Sequence, residues 1–184
     1  MAVQYLTHPS LIPTYPDEVL EALIRNAKHD DYTLPLAYYY TVQPTIQAPR
    51  AIESLYFAIA KTSVTEAFYF SRVQADVARQ KMFEMLISLV LQSSPGEKTA
   101  TRGVELVNLP LDREEEDWFE SFLSKGEGRG LKRAKDTLMM RRIGTGKFSE
   151  ALSLDFDSGK TSGGLSWAMI QDALQEGLGP RGSA

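Results

Sequence analysis

The sequence contains no cysteine. That excludes a disulfide-stapled scaffold, a Cys-based zinc site and thiol catalysis, and it fits a reducing compartment. Histidine is scarce as well: His8 and His29 are the whole complement, fewer than the three or four protein ligands a zinc site takes. Long hydrophobic runs are also missing. A spanning helix needs about 18 consecutive apolar residues, whereas the longest apolar stretch, Met82 to Leu91, is interrupted by Glu84 and Ser88, so no membrane insertion is expected. Met1 to Leu6 have neither a basic flank nor a long apolar segment, which argues against a secretory signal and makes cytosol or nucleus the default. Period-two alternation is absent too; the best strand candidate, Glu105 to Leu109, is short and runs straight into Pro110. Neither sign of charge dominates. With 20 Lys+Arg against 24 Asp+Glu and a net charge of −4, nonspecific nucleic-acid binding is disfavoured as the main role.

What is present is helical periodicity. Val19, Leu20, Leu23, Ile24 and Ala27 recur at helix spacing, as do Ile52, Leu55, Tyr56 and Ile59. Ala75 to Gln92 is apolar on more than one face, the pattern of a helix covered by neighbours on several sides. Trp118, Phe119, Phe122 and Leu123 form a further stripe, and Phe148, Ala151 and Leu152 a shorter one. Pro16, Pro35 and Pro49 sit where helices begin. Ser63 with Glu66, and Asp112 with Glu115, have capping-box spacing. Stops fall at Pro44, Ser93 to Gly96, Gly126 to Gly130 and Gly144 to Gly146. The expected fold is all-α, an α-solenoid-like array of antiparallel helical hairpins with about eight to ten helices. One internal echo supports it: Tyr38, Tyr39 and Tyr40 return 30 residues later as Phe68, Tyr69 and Phe70, the offset one helical hairpin occupies. Three consecutive residues cover about 200° of a helix, so these aromatics cannot all face one core from one helix; core built with neighbouring helices is the main reading, and a partner surface the other.

Candidate chemistry mostly dissolves on inspection. Gly159, Lys160, Thr161 imitates the end of a P-loop, but Leu154 stands where the loop needs glycine, and no strand precedes it. Gly144 to Lys147 reads as a helix cap and hairpin turn. His29 with Asp30 and Asp31 resembles the pair of helical metal-dependent phosphohydrolases, which require further histidines; such an enzyme is kept as an alternative, and a helix end as the main reading. Gly164, Leu165, Ser166, Trp167, Ala168 lacks the final glycine of a nucleophile elbow. The acidic run Asp112, Glu114, Glu115, Glu116, Asp117 and Glu120 reads as a solvated helix start. The basic set from Lys125 through Arg129, Lys132, Arg133, Lys135, Arg141 and Arg142 to Lys147 is expected to pair with that helix; a nucleic-acid-binding module is the other alternative. No catalytic residue, cofactor, metal or small-molecule substrate is implied.

Leu6-Thr7-His8-Pro9, Pro35-Leu36-Ala37-Tyr38-Tyr39 leading to Pro44, Val64-Thr65-Glu66-Ala67-Phe68-Tyr69-Phe70-Ser71-Arg72, Leu109-Pro110-Leu111 ahead of the Glu115 to Leu123 helix, and Gly146 to Leu152 occur in an order and spacing that resembles the ELYS-like domain. The resemblance implies a structural nucleoporin whose helical domain attaches to the Y-shaped outer-ring subcomplex of the nuclear pore, near its propeller-containing short-arm subunits. It implies a nuclear-envelope location, a part in protein and mRNA transport, and no catalytic residues. Animal members add a β-propeller and a DNA-binding tail, neither of which matches here, so nucleic acid is not an expected partner of this segment. The expected organisation is a helical domain at 1–155, a Gly/Ser linker at 156–164, and a docked terminal helix with a frayed tail at 165–184. Ala2 to Thr7 reads as the second helix of a hairpin without its first, as in a fragment of a longer chain. Tyr38, Tyr40, Trp118 and Phe119 are the expected protein contacts.

Overall fold

The computed structural model describes residues 14–93 and 97–152. The Leu6–Pro9 motif, the Ala2–Thr7 helix, the linker, the terminal helix and the two glycine-containing mimics after Leu154 lie outside the described residues. Among those described, the chain is wholly helical: α1 (Pro16–Arg25), α2 (Thr33–Val42), α3 (Pro49–Thr62), α4 (Val64–Arg72), α5 (Asp76–Gln92), α6 (Glu97–Val107), α7 (Arg113–Ser124), a 3-10 turn at Glu127–Gly130, α8 (Ala134–Gly144) and α9 (Phe148–Leu152).

The helix ends follow from local chemistry. Proline occupies the first position of α1 and of α3, where its missing N–H forfeits no bond. Asp112 accepts from the Glu115 N–H while Glu115 accepts from the Asp112 N–H, each at 2.9 Å, a complete capping box at the start of α7. Ser63 supplies only half of one. Its hydroxyl accepts from the Glu66 N–H at 3.2 Å, but the Glu66 carboxylate turns away to the Tyr40 hydroxyl at 2.8 Å. Gly146 ends the α8 turn with φ +78°, and the Lys147 N–H reaches back to the Arg142 carbonyl at 2.8 Å.

Packing is local along the chain. Helices pack on neighbours one and two positions along, and none of α1–α3 packs substantially on α7–α9. Helix α5 is the axis, in contact with α3, α4, α6, α7 and the 3-10 turn, which is why its apolar residues are not confined to one stripe. Phe83 lies at its centre, 5.9 Å from Phe68 of α4 and 6.3 Å from Phe119 of α7 between ring centroids. Tyr56 is buried on α3 and donates its hydroxyl to the Met82 carbonyl at 2.6 Å, so the ring enters the core with its polar end satisfied.

The short strand candidate resolves in keeping with the expected all-α class. Glu105 to Leu109 is the end of α6 and the turn after it, not a strand. Helix α6 has small or polar residues over its first turns, such as Thr99, Ala100 and Gly103. Its burial therefore depends on Leu106 and Val107 near the end, too few to establish a period from sequence.

Candidate interaction surfaces

The acidic run is not uniformly solvated. Glu115 is 1% exposed, held by two arginines from different helices. Arg72, at the end of α4, donates from Nε at 2.9 Å and from Nη2 at 2.6 Å, and Arg79, early in α5, donates from Nη2 at 2.6 Å. The same Arg72 Nη2 reaches the Pro110 carbonyl at 2.8 Å, and Arg79 Nη2 reaches Asp112 at 2.6 Å. Burial pushes the Glu115 carboxyl up, but the hydrogen bonds from Arg72, then Arg79, outweigh it and hold the group below its ordinary range. Asp112 is held low as well, first by the Glu115 N–H, against burial, and then by Arg79. This three-helix clamp corrects the expectation of a solvated face: Glu115 points into the packing angle of α4, α5 and α7, and its neighbour Glu114 stays outside.

Arginines secure other helix ends. Arg102 donates to the Ala60 and Lys61 carbonyls at the end of α3, and Arg141 to the Val107 and Leu109 carbonyls at the end of α6. Cations at these sites meet both the orphan carbonyls and the negative end of the helix dipole. Arg141 also pairs with Glu116, Arg142 with Glu120 at 3.3 Å, and Lys147 with Glu120 at 3.4 Å. The expected pairing with α7 therefore holds for the distal part of the basic set. Lys125, Arg129 and Lys132 stay exposed before α8.

The aromatics divide between core and surface. Tyr38 and Phe68 are fully buried, and Tyr40 and Tyr69 are 48% and 50% exposed. Of the four expected contacts, Tyr38 and Phe119 are core residues with no exposed surface, Trp118 is partly buried with the Arg79 guanidinium 5.3 Å from its ring, and Tyr40 lies outside. The structure brings Tyr40 to α4 through its bond to Glu66. Burial, and then that bond, push the phenol up to about 12. Glu66 and Tyr69 are three apart on α4 and share a face, and exposed Val73 follows just past the helix end. Tyr39, 5.4 Å from Tyr40 between ring centroids, completes an aromatic surface across α2 and α4. Tyr69 and Val73 belong to this surface but not to the expected contacts. The echo of the Tyr38–Tyr40 triplet was the available signal for Tyr69.

His29 and Asp30 occupy a turn after α1, with φ of 55° and 58°. Asp30 accepts from the Tyr32 hydroxyl at 3.3 Å and faces Lys61 at 3.6 Å. Among the described residues no group of three or more His, Asp or Glu is placed to hold a metal, and no helix is long and apolar enough to cross a membrane. Clefts open between several of the described helices. One of 470 Å³ lies between α1, α3 and α5 beside Ile24, Phe57 and Met85, and one of 320 Å³ between α5, α6 and α8.

Comparison with known proteins places this architecture. A family model described as ELYS, nuclear pore complex assembly, matches residues 1–126. A curated protein of Schizosaccharomyces pombe, called uncharacterized protein ely5, is 25% identical over 158 residues, which is 85% of this chain and 49% of that protein. The chain thus spans about half the length of the curated relative it matches. No solved structure matches. The chain belongs to the ELYS family. The description that family carries is nuclear pore complex assembly.

Proposed function

From this membership we propose that the chain is a non-catalytic adaptor that docks on the Y-shaped outer-ring subcomplex of the nuclear pore, against its propeller-containing short-arm subunits. In that role it supports pore assembly and the transport of protein and mRNA. The observation that carries the reading is the exposed aromatic surface of Tyr40 and Tyr69, braced by the bond from Tyr40 to Glu66. Tyrosine is enriched at interfaces because it offers large contact area with few rotamers to freeze. Helices braced by cross-helix arginines present that surface already ordered, so little conformational entropy opposes binding. Trp118, stacked by Arg79 and partly open, is the second proposed contact.

The test is to mix the purified chain with the reconstituted short-arm subunits and follow co-elution by size-exclusion chromatography with light scattering. A complex of fixed ratio is expected. Tyr40→Ala with Tyr69→Ala is expected to weaken it by about 30-fold or more, the equivalent of one hot spot of about 2 kcal/mol. A free monomer under these conditions, or a double variant that binds like the parent, overturns the proposal.

A further inference from the structure

The 320 Å³ cleft between α5, α6 and α8 is lined by Val90, Val104, Val107 and Met140, with Arg133, Asp136 and Thr137 on its polar side. Val104 and Met140 are 48% and 44% exposed, an apolar opening between α6 and α8, the helix on which α9 packs. The stretch that leads into α8, residues 125–133, carries four Lys or Arg against one Glu, and the first turn of α8 adds Lys135 and Asp136. An apolar lining that carries Arg133 and Asp136 and is approached by a predominantly basic stretch suits an amphipathic segment whose polar side is acidic.

The chain carries such a segment beyond Leu152. Met169, Ile170, Ala173 and Leu174 recur at helix spacing, Trp167 falls on the same side, and Gln171, Asp172, Gln175 and Glu176 fall on the other. From Leu165 to Leu178 there is no Lys or Arg. We infer that residues 165–176 dock through the Met169, Ile170, Ala173 and Leu174 stripe into the cleft of Val104 and Met140, with Asp172 and Glu176 towards the cationic stretch before α8.

The tether makes this occupant the natural one. Twelve residues, 153–164, separate Leu152 from Leu165 and include the Gly/Ser stretch Ser158 to Gly164. Extended, they span up to about 40 Å, whereas α8 is roughly 16 Å long and already touches α9. A linker of this length holds the segment at an effective concentration near the millimolar range, well above that of a second copy in dilute solution. The 470 Å³ cleft is a poorer target, because α1 and α3, which line it with α5, do not pack substantially on α7–α9. Occupied in this way, the α6 and α8 face is covered by the chain itself and leaves the Tyr40 and Tyr69 face to partners; the inference stands whether or not those partners are the proposed ones.

The absence of cysteine gives a clean background for cross-linking. The double variant Val104→Cys with Ile170→Cys, oxidised at low protein concentration, is expected to form an intrachain disulfide at least about tenfold faster than Leu34→Cys with Ile170→Cys, since Leu34 is exposed on α2 far along the array. Hydrogen exchange of the unmodified full-length chain, independent of any variant's folding, is expected to show residues 165–176 protected at least about tenfold. That protection should fall in Val104→Asp, an exposed position whose charge leaves the core intact. Equal cross-linking of the two pairs, disulfides mainly between chains, unprotected exchange of 165–176, or protection that Val104→Asp leaves unchanged would each overturn the inference.

Discussion

Replacing Glu115 by glutamine tests the reasoning behind the three-helix clamp most directly. The substitution preserves shape and removes the charge that two arginines converge on. Breaking a buried pair from one side typically costs about 3–5 kcal/mol, because the partner charge is left behind. Here the cations are not sealed, with the Arg72 side chain 29% and the Arg79 side chain 17% exposed, so water recovers part of the loss. Discounted for that screening, the expected cost is about 2–3 kcal/mol. For a chain of this size it corresponds to a Tm lower by roughly 5–10 °C. The assay is urea and thermal unfolding at pH 7, with Glu114→Gln as control. Glu114 is largely exposed and only 4.0 Å from Arg79, and its replacement is expected to stay within about 0.5 kcal/mol. Acid gives a second, independent reading. The folded state holds the Glu115 carboxyl below its ordinary value of 4.5, so the unfolded chain takes up the proton first as pH falls. The clamp's contribution is therefore complete above that ordinary value and is lost as pH falls through the depressed one. The stability gap between parent and Glu115→Gln should narrow over the same interval. A loss under about 1 kcal/mol at pH 7, or a gap that persists or widens in acid, would refute the account.

The 3-10 turn offers a paired test. A Cβ on Gly128 would lie 2.5 Å from Cε1 and 2.6 Å from Cδ1 of the Phe122 ring and 3.0 Å from the Phe122 carbonyl, whereas Gly130 has open space. Gly128→Ala is expected to destabilise by about 1–3 kcal/mol through displacement of a core ring, and Gly130→Ala by much less, in denaturant titrations. Glu105 of α6 accepts both the Thr65 N–H at 3.0 Å and the Thr65 hydroxyl at 2.7 Å, completing the first turn of α4 from outside. Glu105→Ala is expected to cost about 1 kcal/mol and to raise hydrogen exchange in the first turn of α4; unchanged exchange there would show that the cap contributes nothing.

Much of the architecture was legible from local patterns. The Pro16 and Pro49 starts, the complete box of Asp112 and Glu115, the Gly146 turn and the many-sided apolar pattern of α5 each rest on interactions within a few residues, which a sequence displays directly. Helix α6 was hidden because its apolar residues are few and late, so its burial depends on α4, α5 and α8 rather than on its own stripe. The spacing within the two aromatic triplets indicated that their rings cannot all face one core from one helix, but the division between Tyr38 and Tyr40 depends on where α3 and α4 stand.

Helical class, helix ends and hairpin spacing are thus properties of the chain taken a turn at a time, governed by periodicity, proline, glycine and caps. Long-range choices among equivalent residues belong to the tertiary structure alone. Glu114, Glu115 and Glu116 are interchangeable as letters at the start of a helix. Only the angle at which α4 and α5 meet α7 makes one of them the buried partner of Arg72 and Arg79, one the partner of Arg141, and leaves the third in water. The physical reason is that burial and charge pairing depend on distances between residues about 25 to 43 positions apart, which no local pattern encodes.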